Sequence, residues 1–144
     1  MAHEDAGHYA AKHPAGTASD PAVAAALSEK ARDDCVTCAA AMEVVAGLDV
    51  TPSVVGTALD LLEYRITRCQ LGLFGYQPEK KIVRPADDVA EDFRGRLLEA
   101  APAASLSCAL SWEIADALGM TRMDVSAACE ALGIKVRPCQ LGAF

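Results

Sequence analysis

The chain contains two copies of one 55-residue sequence, and this duplication limits the folds that are possible. Residues 20–74 align with residues 90–144 without a gap, and 16 of the 55 aligned pairs are identical. Each copy ends in Cys-Gln-Leu-Gly, followed two positions later by Phe. An alanine-rich composition produces scattered identities by chance, but not this shared ending. The sequence therefore predicts two tandem copies of one structural unit, related by pseudo-two-fold symmetry.

Two regions lie outside the copies. Residues 1–19 contain Gly, Pro, Ser and Thr without periodicity. They predict an N-terminal arm that is loosely ordered or packs over the other copy. Residues 75–89 contain two prolines and a cluster of charge, a composition typical of a linker.

Apolar periodicity predicts three helices and one strand in each copy. In the second copy the helices cover residues 89–99, 108–118 and 121–132, and the strand covers 134–137. Ser107 and Thr121 are candidate N-caps, while Gly119 and Gly133 end the second and third helices. In the first copy the corresponding elements are helices at 22–32, 38–46 and 52–62 and a strand at 64–68.

The order helix, helix, tight turn, helix, strand resembles the winged-helix family. Ala115, Gly119 and Val125 stand at the spacing of a helix-turn-helix motif. The first copy departs from this pattern, with Val45 and Asp49 at the positions of Ala115 and Gly119. The resemblance implies a mainly α fold with short β hairpins or wings, built as two winged-helix-like units. A plain repeat of helical hairpins is the alternative.

The same resemblance implies DNA binding, with the third helix of a unit in the major groove. The third helix of the second copy offers one arginine, Arg122, beside carboxylates, which suits base reading poorly. Basic side chains in and after the strands suit backbone phosphates better. Alternatively, they are a charged edge that prevents strand aggregation. The candidate nucleic-acid-binding residues are Arg65, Arg68, Lys80, Lys81, Arg84, Arg122, Lys135 and Arg137.

Two cysteines recur in each copy, and we call Cys38, Cys69, Cys108 and Cys139 the four-cysteine set. Pseudo-two-fold symmetry could bring these thiols together, and four thiolates suit Zn or an iron–sulfur cluster. Each copy could instead hold its own pair, or the thiols could be small buried apolar groups. Cys35 forms a Cys-x-x-Cys motif with Cys38, but one such motif is weak evidence for a metal site.

The Gln-Leu-Gly after Cys69 and Cys139 allows two interpretations. Its glycine permits a positive φ, so the surrounding amides could form an anion-accepting nest. Alternatively, the segment is a tight turn whose glutamine ties the two copies together. Cys129 aligns with Leu59, which predicts that Cys129 belongs to the core.

Several classes of function lack support in the sequence. No apolar stretch is long enough to span a membrane and no secretory signal is present, so we expect a cytoplasmic protein. A net charge of −7 gives no general attraction to nucleic acid. No catalytic motif is found, so we expect no enzyme. His3, His8 and His13 do not share a helical face, and we expect solvated arm residues rather than metal ligands.

Two functions remain. The first is a DNA-binding regulator of transcription whose cysteines sense metal or redox state. The second is an accessory or protein-interaction module that does not bind DNA and carries a metal or an iron–sulfur cluster. Either could act as a homodimer, and the second requires a protein partner. The segment C-Q-L-G-L-F-G-Y also resembles small proteins of anaerobic microbes, a likeness that implies no function.

Overall fold

The fold is mainly helical, as expected, and residues 8–144 also contain four short strands. The computed structural model describes residues 8–144, so His3 lies outside the described residues. We call residues 20–74 the first segment and residues 90–144 the second segment. After a 3₁₀-helix at Tyr9–Lys12, the first segment contains α1 (Pro21–Lys30), β1 (Cys35–Thr37), α2 (Cys38–Leu48), α3 (Pro52–Leu61) and β2 (Arg65–Thr67). The second contains α4 (Glu91–Ala100), β3 (Ser105–Leu106), α5 (Cys108–Leu118), α6 (Arg122–Leu132) and β4 (Lys135–Val136).

The predicted helix boundaries follow from capping residues. Ser107 and Thr121 accept backbone N–H bonds at the starts of α5 and α6, which confirms both as N-caps. Such a cap stabilises a helix by about 1 kcal/mol. Gly119 and Gly133 end these helices in the left-handed conformation, at φ 65° and 71°. The sequence thus specifies where both helices begin and end.

Asp49 occupies the position that corresponds to Gly119. It ends α2 with φ 52° and ψ 49°, so it adopts the left-handed conformation that glycine adopts after α5. An aspartate tolerates this conformation better than most residues but at a greater cost than glycine. The departure from the helix-turn-helix pattern at this position therefore leaves the conformation of the turn unchanged.

Replacing Asp49 with Gly should raise the free energy of unfolding by about 0.5–1 kcal/mol, because glycine adopts the left-handed conformation without a Cβ penalty. Chemical denaturation of the variant and the wild type at the same pH measures the change. The matched variant Gly119→Asp should show the opposite sign. Destabilisation by Asp49→Gly would show that the aspartate side chain stabilises the turn.

The strands correct one expectation, because neither sheet is a hairpin. β1 pairs in parallel with β2, with Val36 opposite Ile66, and β3 pairs in parallel with β4, with Leu106 opposite Val136. A hairpin joins antiparallel strands, whereas a pair of helices between two strands can return the chain in the same direction. In each segment that connection consists of α2 and α3 or of α5 and α6. The strands that precede α2 and α5 were not predicted.

The two segments share part of their interior. The larger apolar cluster is built around Leu27, Val55 and Leu59 of the first segment, and it includes Trp112 and Leu141 of the second. A second cluster lies within the second segment. Among residues 8–144, no helix has the length and apolar character needed to cross a membrane.

The linker is an ordered connection between the segments. The backbone N–H groups of Ile82 and Val83 donate to the carbonyl of Gly72, and Val83 is buried. Further along, the N–H of Ala86 donates to the carbonyl of Ala127 in α6 at 3.0 Å. The linker therefore packs from the end of the first segment onto the third helix of the second.

Candidate four-cysteine centre

The four-cysteine set occupies two kinds of position. Cys38 is the first residue of α2 and Cys108 the first residue of α5, each directly after an N-cap residue. Cys69 and Cys139 follow β2 and β4 and begin two turns, which we call the Cys69 turn (residues 69–74) and the Cys139 turn (residues 139–144). In both segments the parallel strands place the helix start beside the following turn: the N–H of Cys108, for example, donates to the carbonyl of Pro138 at 3.1 Å.

The four thiols converge where the segments meet. Cys38, Cys69 and Cys108 are buried in one apolar cluster, and Cys139 packs against it. Burial, together with charge on each of the other three thiols, raises the pKa of the Cys38 thiol to about 12. Burial likewise raises the pKa of Cys108 to about 11, with contributions from Cys139 and Cys69. All four thiols therefore lie within electrostatic range of one another.

Backbone amides of the turns point at these sulfur atoms. Burial raises the pKa of Cys69, and the N–H groups of Leu73 and Leu71 oppose this by donating to its sulfur. The N–H of Gln70 donates to Cys38 in the same way. Gly72 and Gly142 bend the turns with φ 71° and 79°, the positive φ that glycine permits. The turns thus supply donors that stabilise a thiolate more than a thiol.

The glutamines of the turns have different partners. Gln70 accepts a hydrogen bond from Nη1 of Arg122 at 2.5 Å, so it links the Cys69 turn to α6 of the other segment. Gln140 stays within its own segment, where its Nε2 donates to Sγ of Cys108 at 3.5 Å. One glutamine therefore ties the segments together, and the other contacts a member of the four-cysteine set.

The remaining two cysteines, Cys35 and Cys129, are not members of this set. Cys129 is fully buried in the second cluster, as its alignment with a leucine predicted, and burial raises its pKa to about 11. Cys35 is half-buried on β1. All six cysteines are free thiols. Among residues 8–144, no three Cys, His, Asp or Glu side chains already stand at the spacing of a metal site.

The candidate nucleic-acid-binding residues are not equally available. The guanidinium of Arg122 stacks 3.6 Å from the centre of the Trp112 ring, in addition to its bond with Gln70. Lys81 pairs with Glu130 at 2.8 Å. Helix α6 therefore does not present Arg122 to solvent, where it could contact the bases of DNA. Arg65 is half-buried, whereas the side chains of Arg68, Lys80, Arg84, Lys135 and Arg137 are exposed.

The N-terminal arm supplies contacts that the sequence did not predict. We call residues 8–13 the arm segment. Nε2 of His13 lies 2.9 Å from Oδ2 of Asp60, and Nζ of Lys12 lies 3.1 Å from the same oxygen. The Asp60 side chain is only 4% exposed. His13 is therefore a partner of a buried carboxylate rather than the solvated residue we expected, and the arm packs on α3. The sequence gives one indication that Asp60 has a cationic partner: Asp60 aligns with a second acidic residue, Glu130, and Glu130 pairs with Lys81.

Glu43 and Glu113, which occupy aligned positions in the two segments, both lie at the surface. Glu43 forms an exposed ion pair with Lys30 at 2.8 Å, and Glu113 is exposed. The convergence of four thiols is thus the chemically distinctive feature of the described residues. No protein-family model, curated protein or solved structure matches the chain.

Proposed function

We propose that this protein binds a metal ion or an iron–sulfur cluster through Cys38, Cys69, Cys108 and Cys139. The observation that carries this proposal is the convergence of these thiols from both segments in one largely apolar cluster. Four thiolates are the donor set of structural zinc sites and of iron–sulfur clusters.

The surroundings of the thiols fit such a centre. Backbone N–H groups that donate to sulfur orient thiolate ligands and tune a metal bound by them. Such donors reach Cys38, Cys69 and Cys108. Binding would displace the thiol protons and draw the sulfurs together, because the free thiols do not yet stand at coordination spacing.

The proposed architecture is a tandem pair of winged-helix-like units, each with a parallel strand pair in place of a hairpin wing, and the centre lies at their junction. Three observations support it. Both segments have the element order helix, strand, helix, helix, strand. Each places one helix-start cysteine and one turn cysteine at the junction. Left-handed residues recur at the same spacing, at Asp34, Asp49, Glu63 and Gly72 and at Ala104, Gly119, Gly133 and Gly142. A metal bound by both units would hold them together.

DNA binding remains a second candidate, favoured by the helix-turn-helix order of α2 with α3 and of α5 with α6. The engaged Arg122 argues against base reading by α6. Exposed basic residues such as Arg68, Lys135 and Arg137 would contact backbone phosphates instead. Electrophoretic mobility shift with the double variant Lys135→Ala/Arg137→Ala distinguishes this regulator from an accessory module that docks on a protein.

The decisive experiment is the metal, iron and acid-labile sulfide content of protein purified without oxygen. We expect about one zinc ion, or a few iron atoms with matching sulfide, for each chain. Cys69→Ser and Cys139→Ser should each lose most of it, because each removes one ligand. Cys35→Ser and Cys129→Ser are matched controls that should retain it.

Two results would contradict the proposal. The first is wild-type protein that is folded yet takes up neither zinc nor a reconstituted cluster. The second is metal that persists when all four members of the set are replaced, since other residues would then hold it.

A further inference from the structure

Cys139 differs from the other members of the four-cysteine set in its exposure. Cys38, Cys69 and Cys108 are buried, with 5–8% of their surface exposed, whereas Cys139 is half-buried. Cys139 also lines a cavity of about 400 Å³. One thiol of the set is thus reachable from a cavity at the protein surface.

The cavity lies between three parts of the chain. The Cys139 turn forms one wall and α3 forms another, through Ser53, Thr57 and Asp60. The arm segment forms the third wall through Lys12 and His13. The arm segment therefore borders the cavity that Cys139 lines.

Five polar contacts hold the arm segment in this place. Nζ of Lys12 donates to the carbonyl of Gly142 in the Cys139 turn at 3.1 Å and also pairs with Asp60. His13 bonds the same carboxylate oxygen. Further back, Glu63 accepts the backbone N–H groups of Tyr9 at 3.0 Å and Ala10 at 2.6 Å. Lys12 thus connects α3 of the first segment to the turn of the second.

Asp60 makes this attachment more than a surface ion pair. Its side chain is nearly fully buried, and its Oδ1 has no hydrogen-bond partner among the described residues. A buried carboxylate is costly unless cations or donors compensate it. Lys12 and His13 provide that compensation only while the arm segment is docked. The burial of Asp60 therefore favours the arrangement in which the arm segment is docked.

We propose that this cavity is the entry site of the four-cysteine centre, where a thiol-seeking metal ion binds Cys139 first, and that the docked arm segment restricts access to it. As the sulfur–metal bond forms, the Cys139 thiol releases its proton to solvent. The metal's part in this inference rests on the proposed function, whereas the restriction by the arm segment does not.

The restriction is tested by the rate at which N-ethylmaleimide alkylates Cys139 in metal-free, full-length protein, followed by peptide mass spectrometry. The double variant Lys12→Ala/His13→Ala removes the compensation of Asp60. We expect about tenfold faster alkylation of Cys139, because the arm segment opens more often. Lys81→Ala is the matched control: it breaks the Lys81–Glu130 pair, which lies outside this cavity, and should leave the rate within about twofold.

The outcomes separate the two proposals. An unchanged rate at Cys139, or an equal acceleration at Cys38, Cys69 and Cys108, would overturn the restriction by the arm segment. Uptake of Co²⁺, followed by its thiolate absorption, should accelerate by a similar factor in the double variant. If the wild type takes up no metal, both the proposed function and the entry of metal at Cys139 are overturned. The alkylation rates still decide whether the arm segment restricts access to Cys139, because they are measured in metal-free protein.

Discussion

Replacing Gly56 with Ala should lower the free energy of unfolding by about 3 kcal/mol, a large share of the stability of a small domain. Gly56 lies in α3, and a Cβ built there would overlap the backbone carbonyl of Leu141 in the Cys139 turn. A backbone atom cannot move aside as a flexible side chain can, so the helix and the turn would have to separate. Urea denaturation followed by circular dichroism measures the loss.

Gly47→Ala provides the control for helix propensity. Gly47 lies in α2, is exposed, and has no atom within 4 Å of a built Cβ. There the substitution should stabilise the protein by about 0.5–1 kcal/mol, because alanine favours the helix more than glycine does. If Gly56→Ala behaved like Gly47→Ala, the close contact between α3 and the Cys139 turn would be excluded.

Metal binding to the four-cysteine set should strengthen steeply with pH. Burial raises the pKa of Cys38 to about 12 and that of Cys108 to about 11, so these thiols carry protons at neutral pH. A metal binds thiolates and must displace those protons. Higher pH therefore favours the bound state. Each proton released on binding raises the apparent association constant for zinc about tenfold for one pH unit. Because at least two protons leave, we expect a rise of at least about 100-fold between pH 6.5 and 7.5.

Competition with a chromophoric chelator, corrected for the proton binding of the chelator, measures this dependence. Proton release into weakly buffered solution gives the number of protons independently. Cys129→Ser should keep the same slope, because Cys129 lies in the other cluster. An association constant that does not change with pH would show that the protonated thiols are not the ligands.

The elements that depend on local sequence could be predicted from it. Ser107, Thr121, Gly119 and Gly133 act through bonds and dihedral angles within a turn of their own position, and all four mark helix ends as predicted. β1 and β3 could not be found in this way. They have three and two residues and exist through pairing with strands about thirty positions later.

The candidate site shows the same division. The alignment of residues 20–74 with residues 90–144 singled out these four cysteines, and it allowed for their convergence without deciding it. Packing of α3 and α6 against the turns decides it, and such packing leaves no periodic trace in the sequence. The contacts of His13 with Asp60 were missed for the same reason, because they join residues 47 positions apart.

Trp112 gives this protein an internal optical probe. It is the single tryptophan of the chain, and it packs in the same apolar cluster as Cys38 and Cys108. The Arg122 guanidinium covers its ring, and Arg122 is bonded in turn to Gln70. Indole emission therefore responds both to absorbing centres nearby and to the separation of α6 from the Cys69 turn. Events at the junction can be followed in unlabelled protein, in real time and at low concentration.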